Sequence, residues 1–279
     1  FIYMKKPSQP IIIDSGIPGP ILTIIGWTHG NETCWVQAID SIKDTLKIKR
    51  WKLFLIYGNI EAIEKNERQI DLNLNRMFRD ESTFTANEKQ TIEYKRSREI
   101  IPHLDASDAS LDLHSSPSIG SPAFIICESN CAPVVEDFPF DIRCYGFTDM
   151  EPGGTDGYMN SRWKIGICVE CGNHNAPDAV EKALMSVERF LQYFDMIDIQ
   201  DSWIPKKSQE IFVAKYVYKT LTEDFRIVKI FSDFEDVESW QLIGYDGMEG
   251  VFAEYSGKIL FARDRNQIGV EGFVVISSI

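Results

Sequence analysis

Short apolar runs alternate with amphipathic stretches over residues 1–200, and that alternation constrains the fold more than any other feature of the chain. Ile21–Ile25, Lys52–Tyr57, Ser110–Leu113, Ala123–Cys127 and Gly166–Val169 are each of strand length. Candidate helices lie between them. The first begins near Glu32 and sets Val36, Ile39 and Leu46 on one face. The second follows Thr85, whose hydroxyl with Glu88 forms a T-x-x-E capping box. The third starts at Asn175 with Pro177 in its first turn, and Val180, Leu184, Val187, Leu191 and Phe194 then recur at helical spacing. Strands separated by helices predict an α/β sheet with helices on both faces.

The pattern changes after Asp201-Ser-Trp-Ile-Pro205. Ile211–Tyr218, Phe225–Phe231, Gly250–Tyr255 and Gly272–Ile276 are β-branched and aromatic runs, punctuated by turn residues at Tyr245-Asp-Gly247 and Ser256-Gly257. The expected organisation is therefore an α/β domain at 1–201 and a small β-rich domain at 202–279.

A chain of 279 residues, 44% of them hydrophobic, suffices for a sizeable core. The net charge of −13 argues against broad nucleic-acid binding, which needs a basic face to displace counterions. An anionic substrate would need a local cluster of arginines. Six cysteines without a dense framework read as reduced, mostly buried thiols, with a four-cysteine zinc site at 127, 131, 168 and 171 the lesser alternative. No apolar run reaches the roughly 18–20 residues of a membrane span. The chain opens on Phe1 rather than Met, which leaves room for a removed leader; the expected compartment is the cytoplasm.

Three segments carry chemistry. Gly26-Trp-Thr-His29-Gly-Asn-Glu32 sets a histidine three residues before a glutamate where a strand gives way to a helix. Imidazole and carboxylate are common zinc ligands, and a catalytic site takes three protein ligands plus water. His114, in Leu-Asp112-Leu-His114-Ser-Ser, is the third candidate; Asp112 lies on the same strand face, where it can orient the ring. Glu170 ends the run Ile165–Val169, and a carboxylate emerging from an apolar strand has a raised pKa suited to proton transfer. Arg68 and the Asp71-Leu-Asn-Leu-Asn75-Arg76 loop are candidates for a carbonyl-polarising cation and a carboxylate-binding pair, although taken alone the segment reads as a solvated loop with ordinary ion pairs.

Taken in order, His29-Gly-Asn-Glu32, Gly58-Asn59, Arg68 with Asp-Leu-Asn-Leu-Asn75-Arg76-Met-Phe78, Asp112-Leu-His114-Ser-Ser and Val169-Glu170 resemble the succinylglutamate desuccinylase/aspartoacylase family, a branch of the zinc carboxypeptidase-like fold. The motifs cover roughly residues 20–175, and the β-rich tail is similar to the family's two-domain plan. The resemblance implies a mixed sheet flanked by helices, with one Zn2+ per chain held by His29, Glu32 and His114. It implies Glu170 as general base, Arg68 as carbonyl polariser, and Asn75 and Arg76 as carboxylate holders. A further carboxylate-binding arginine is expected upstream of Glu170, where Arg162 is the nearest, and a C-terminal tyrosine sometimes joins the pocket, for which Tyr255 is the candidate. The family often carries an acid where this chain has Asn73.

The expected function is hydrolysis of the amide of an N-acyl, preferentially acidic, amino acid, such as N-succinylglutamate or N-acetylaspartate. The alternatives are a carboxypeptidase-like peptidase and a silent small-anion-binding protein. A small-molecule substrate is the expected partner, with no nucleic acid and no membrane, and with homo-oligomerisation left open.

Overall fold

The apolar runs become the strands of one large sheet, and the amphipathic stretches become helices on both its faces. The computed structural model describes residues 6–32, 34–198 and 208–279, with the backbone alone at 34–36. In chain order the first region comprises β1 (Ile11–Asp14), β2 (Ile21–Gly26), α1 (Cys34–Ile42), β3 (Lys52–Tyr57), α2 (Ile60–Lys65), α3 (Ile92–Ala106), β4 (Ala109–Ser116), β5 (Ala123–Cys127), α4 (Ala132–Val135), β6 (Ile142–Tyr145), α5 (Phe147–Met150), α6 (Thr155–Asn160), β7 (Ile165–Asn173) and α7 (Ala179–Tyr193). The C-terminal region is all strand: β8 (Glu210–Lys219), β9 (Phe225–Ile227), β10 (Glu235–Val237), β11 (Leu242–Asp246), β12 (Glu249–Phe252), β13 (Gly257–Leu260) and β14 (Glu271–Ser278).

The main sheet has the order β1-β3-β2-β4-β7-β5-β6-β8-β14-β13-β10. Its centre is parallel through β3, β2, β4 and β7, whereas β5 runs antiparallel to β7. The sheet is thus mixed. β8 pairs in parallel with β6, so the β-rich C-terminal region extends the same sheet. A second, three-stranded sheet, β12-β11-β9, lies within that region. The expected domain boundary at 201/202 falls outside the described residues, as does the side chain of Val36.

Alternation along the strands sorts the core. Leu53 and Leu55 join one cluster with Val187, Phe190 and Leu191 of α7, while Phe54 and Ile56 join another with Ile100 and Leu104 of α3. The third helix starts later than its proline suggested, at Ala179. Thr85 and Glu88 do form a reciprocal box, with Thr85 N–H to Glu88 Oε2 at 2.8 Å and Glu88 N–H to Thr85 Oγ1 at 3.2 Å. That box opens a short 3-10 turn, Glu88–Gln90; the α-helix itself is capped by Thr91.

Candidate active site

In β4, Leu111 and Leu113 point into one core cluster, so period two sends Asp112 and His114 to the opposite face. The same parity on β7 buries Ile167 and Val169 in that cluster and puts Cys168 and Glu170 on the side of Asp112 and His114. His114 and Glu170 are register partners across β4 and β7. His29 and Glu32 arrive from the end of β2, the third parallel strand, so all four groups meet beside the carboxyl ends of parallel strands. Open α/β sheets place ligand crevices there.

The turn carrying His29 is held by close backbone approach. Trp27 sits at φ 68°, a left-handed conformation that bulky residues seldom adopt. A Cβ on Gly30 would lie 2.2 Å from the Ala62 carbonyl carbon, so this position admits only glycine. Glu93 of α3 fixes the neighbouring loops: its carboxylate accepts from Asn59 Nδ2 at 3.0 Å, from Ile70 N–H at 2.7 Å and from Leu72 N–H at 3.1 Å. The motif residues Gly58-Asn59 therefore serve as a scaffold for the Arg68–Arg76 loop.

Glu32 is central to the cluster. Its Oε1 lies 2.7 Å from His29 Nδ1 and 3.3 Å from Arg68, and its Oε2 lies 3.3 Å from His114 Nδ1. The Ser115 backbone N–H donates to the same Oε2. One ligand atom from each of His29, Glu32 and His114 falls within 4.8 Å of the others, the single such group among the described residues. His29 and Glu32 are 4% and 1% exposed, and His114 is 1% exposed.

Burial and the Arg68 charge push the His29 ring down to about 4, so it is neutral. Yet both of its nitrogens face oxygens, Nδ1 toward Glu32 and Nε2 toward Asn73 Oδ1 at 3.0 Å. A neutral imidazole has one N–H and cannot satisfy both. A cation between Nδ1 and the carboxylate resolves that conflict, with Asn73 accepting the Nε2 proton. Burial also works against a charged His114, but Asp112, 3.2 Å from Nε2, and Glu32 outweigh it and hold the ring well above its ordinary range. A positive charge is favoured between the histidines and Glu32. The donor set and its environment fit a zinc ion.

Glu170 is 8% exposed, and its Oε2 has no hydrogen-bond partner. Burial, reinforced by Glu32 and Asp233, pushes its carboxyl up to about 8, although His114 and Arg68 pull the other way. Burial and the neighbouring Arg263 lower Arg68 to about 10. Asn75 is anchored through its N–H to Asn73 Oδ1 at 2.9 Å. Arg76 donates from Nε to Glu151 at 2.6 Å, and one of its terminal nitrogens lies 3.4 Å from Glu271. His29, Glu32, Arg68, Asn75, Arg76, His114 and Glu170 all line one cavity.

Arg162 does not join them. Its guanidinium stacks on Tyr158 at 3.5 Å and its Nε lies 3.7 Å from Asp105, away from the cavity. The N-terminal half of α6 faces the site, and Arg162 lies beyond the helix's far end. Tyr255 is also remote, half exposed beside Tyr216 in the C-terminal region. The cavity wall instead contains Glu151, Asp156, Arg263 and Glu271. Glu151 and Asp156 belong to the glycine-rich stretch 151–157, whose proximity to Arg76 is signalled by Gly153: a Cβ there would lie 2.5 Å from the Arg76 carbonyl oxygen. Nothing in the local sequence marks Arg263 or Glu271, which reach the site through strand pairing far along the chain.

The cysteines are buried at 127, 131, 144, 168 and 171. They do not assemble into a metal-binding group among the described residues. Within those residues no helix is long and apolar enough to cross a membrane.

A His-Glu-His cluster that could hold a metal ion thus lies beside a buried carboxylate, on a mixed α/β sheet. Residues 18–194 match the model of the succinylglutamate desuccinylase/aspartoacylase catalytic domain, and the chain belongs to that family of hydrolases. A probable aspartoacylase from Nostoc sp. is 27% identical over 183 residues, covering 61% of this chain and 58% of the relative. An N-acyl-aromatic-L-amino acid amidohydrolase from Xenopus laevis is 32% identical over 105 residues, covering 35% of this chain and 34% of the relative. These matches span less than two thirds of the relatives' own lengths. A succinylglutamate desuccinylase structure from Vibrio parahaemolyticus superposes with a TM-score of 0.72 at 16% identity, covering 92% of this chain and 81% of the other, and it shows the shared fold.

Proposed function

We propose that this chain is a zinc-dependent deacylase that cleaves the amide of an N-acyl amino acid. The observation that carries the reading is the unpartnered, buried Glu170 carboxylate beside the His29–Glu32–His114 cluster. A zinc ion held by those three residues would polarise the acyl carbonyl and lower the pKa of a water to about 7.

The chain's own groups do the rest. Glu170 accepts a proton at its carboxylate as the acyl carbon is attacked, then returns it to the departing amine. Its raised pKa suits both tasks near neutral pH. Arg68, in the same cavity wall, offers its guanidinium to the carbonyl oxygen as negative charge develops. Asn75 and Arg76 orient the substrate through a carboxylate, and the enclosing loops limit water.

The test is a hydrolysis screen of N-succinyl and N-acetyl amino acids with and without a chelator. Release of free amino acid, abolished by chelation and restored by zinc, is the expected result. Cleavage of peptides but not of N-acyl amino acids would contradict it and support a peptidase. Metal binding without turnover on either would support a silent anion-binding protein.

A further inference from the structure

The inner end of the cavity carries chemistry that amide cleavage does not use. Behind His114 and Glu170 runs a second row, Asp112, Cys168 and Ile126, register partners across β4, β7 and β5. Strand parity turns this row to the same face as His114 and Glu170. Ile126 and Cys168 line the cavity together with Phe147 and Phe261, which makes its inner end apolar. α6 closes over that end. Gly166 of β7 permits the approach, since a Cβ there would lie 2.3 Å from the Asp156 carbonyl oxygen.

Two polar groups stand among these apolar walls without the partners that burial requires. Asp156, in the first turn of α6, is buried and lines the cavity. No cationic side chain of the described residues lies in ion-pair range of it. The positive groups nearest to it are engaged elsewhere, Arg76 with Glu151 and Glu271, and His114 with Asp112 and Glu32. Asp112 itself adds repulsion. Thr148 Oγ1, from α5, is buried in the same wall with no hydrogen-bond partner. It sits against α6, where a Cβ on Gly157 would lie 3.5 Å from it. A buried carboxylate without a counter-charge costs stability, and a cation brought by a ligand removes that cost.

Asp156 also adjoins the residue that would hold the substrate carboxylate. A Cβ on Gly154 would lie 2.5 Å from Asp156 Oδ1 and 3.4 Å from Asn75 Oδ1, so the two side chains flank one point. A group facing Asp156 therefore belongs to the amino-acid part of the substrate. We propose that the inner end of the cavity is a side-chain subsite for a cationic amino acid. Its apolar stem would pack on Ile126, Phe147, Cys168 and Phe261, and its terminal ammonium or guanidinium would donate to Asp156 and Thr148 Oγ1. Resting on the deacylase reading, this subsite selects N-acyl derivatives of lysine-like or ornithine-like amino acids. It disfavours the acidic side chain expected from the motifs, which would set two carboxylates together in a buried pocket.

Four amino acids, carrying on the α-nitrogen the acyl group that the hydrolysis screen selects, separate the cases: L-lysine, L-ornithine, L-norleucine and L-aspartate. Norleucine has the lysine stem without the ammonium. The wild type is expected to show its highest kcat/KM on the lysine or the ornithine compound. In D156N the ratio of that value to the norleucine value should fall by about tenfold to a hundredfold, the range for one charge-assisted hydrogen bond. The loss should appear mainly in KM, and T148V should give a smaller loss in the same direction. A ratio unchanged in D156N, or a wild-type preference for the aspartate or norleucine compound, overturns the proposal.

Binding of the four free amino acids, followed by calorimetry in wild type and D156N, reads the subsite independently of turnover. Tighter binding of lysine or ornithine than of norleucine, lost in D156N, supports the proposal even if no N-acyl amino acid is hydrolysed. A wild type that binds neither cation more tightly than norleucine overturns it even if hydrolysis succeeds.

Discussion

Asp156 illustrates how the cavity holds charge at a cost to stability. It is 9% exposed, and burial pushes its carboxyl up to about 6, despite the Gly157 backbone N–H and nearby His114 and Arg76. Between its ordinary value of 3.8 and about 6 the folded protein binds more protons here than the unfolded chain does. Stability therefore falls as pH rises through that window and is flat above it, a loss on the order of 3 kcal/mol. D156N should raise the melting temperature of the metal-free protein above pH 6, and the gain should vanish near pH 3.5. A gain independent of pH would show that burial of this charge is not the cause. His29 and Asn73 show a second residue-level economy. An amide oxygen lies 3.0 Å from the Nε2 of His29, whereas the Nε2 of His114 is buried without a hydrogen bond, the Asp112 carboxylate lying 3.2 Å away, so the two rings are supported unequally.

At the scale of elements, the sequence was readable where one period dominates. The strands β2, β3, β5 and β7 are dense apolar runs because both faces are covered, and α7 shows a long helical stripe. β1, β6, β10 and β13 are only three or four residues long, too short for a period to register against the flanking loops. β11 was visible only through its hairpin turn, where Gly247 sits at φ 61°. The same contrast separates the site residues. His114 and Glu170 each end an apolar run, and His29 and Glu32 follow one within seven residues, which advertises them. Arg162 was favoured by its distance from Glu170 along the chain, but the helix before it turns that side chain onto Tyr158 and Asp105. Arg263 and Glu271 were hidden because their approach depends on β8, β13 and β14 adding to the sheet, a long-range pairing without a local signature. Glu93 was hidden for a related reason, since its partners are backbone amides more than twenty residues earlier.

Across the whole molecule, the C-terminal strands complete both the core and the site. Phe212, Leu260, Val274 and Ile276 pack with Phe124, Ile126 and Cys168 of β5 and β7. Asp233 ties the Ser116 hydroxyl at 2.6 Å to the Phe261 N–H at 2.9 Å, linking the site's edge to the C-terminal region. A chain ending at residue 201 would expose that apolar surface and leave the β6 edge unpaired. It should be aggregated or molten, seen as loss of a cooperative urea transition. A soluble truncated chain with a sharp transition would show that residues 1–201 fold independently of the C-terminal strands.

The central claim joins a three-residue metal site to a separate proton-transferring carboxylate, and E170Q tests that separation most directly. Zinc content and turnover on the substrate found by the screen would be measured together in the same preparation. The account predicts about one zinc per chain, as in the wild type, because Glu170 is not a ligand. Turnover should fall by at least about a hundredfold, because glutamine cannot accept the proton. E170Q that keeps its zinc and its turnover would contradict the assignment.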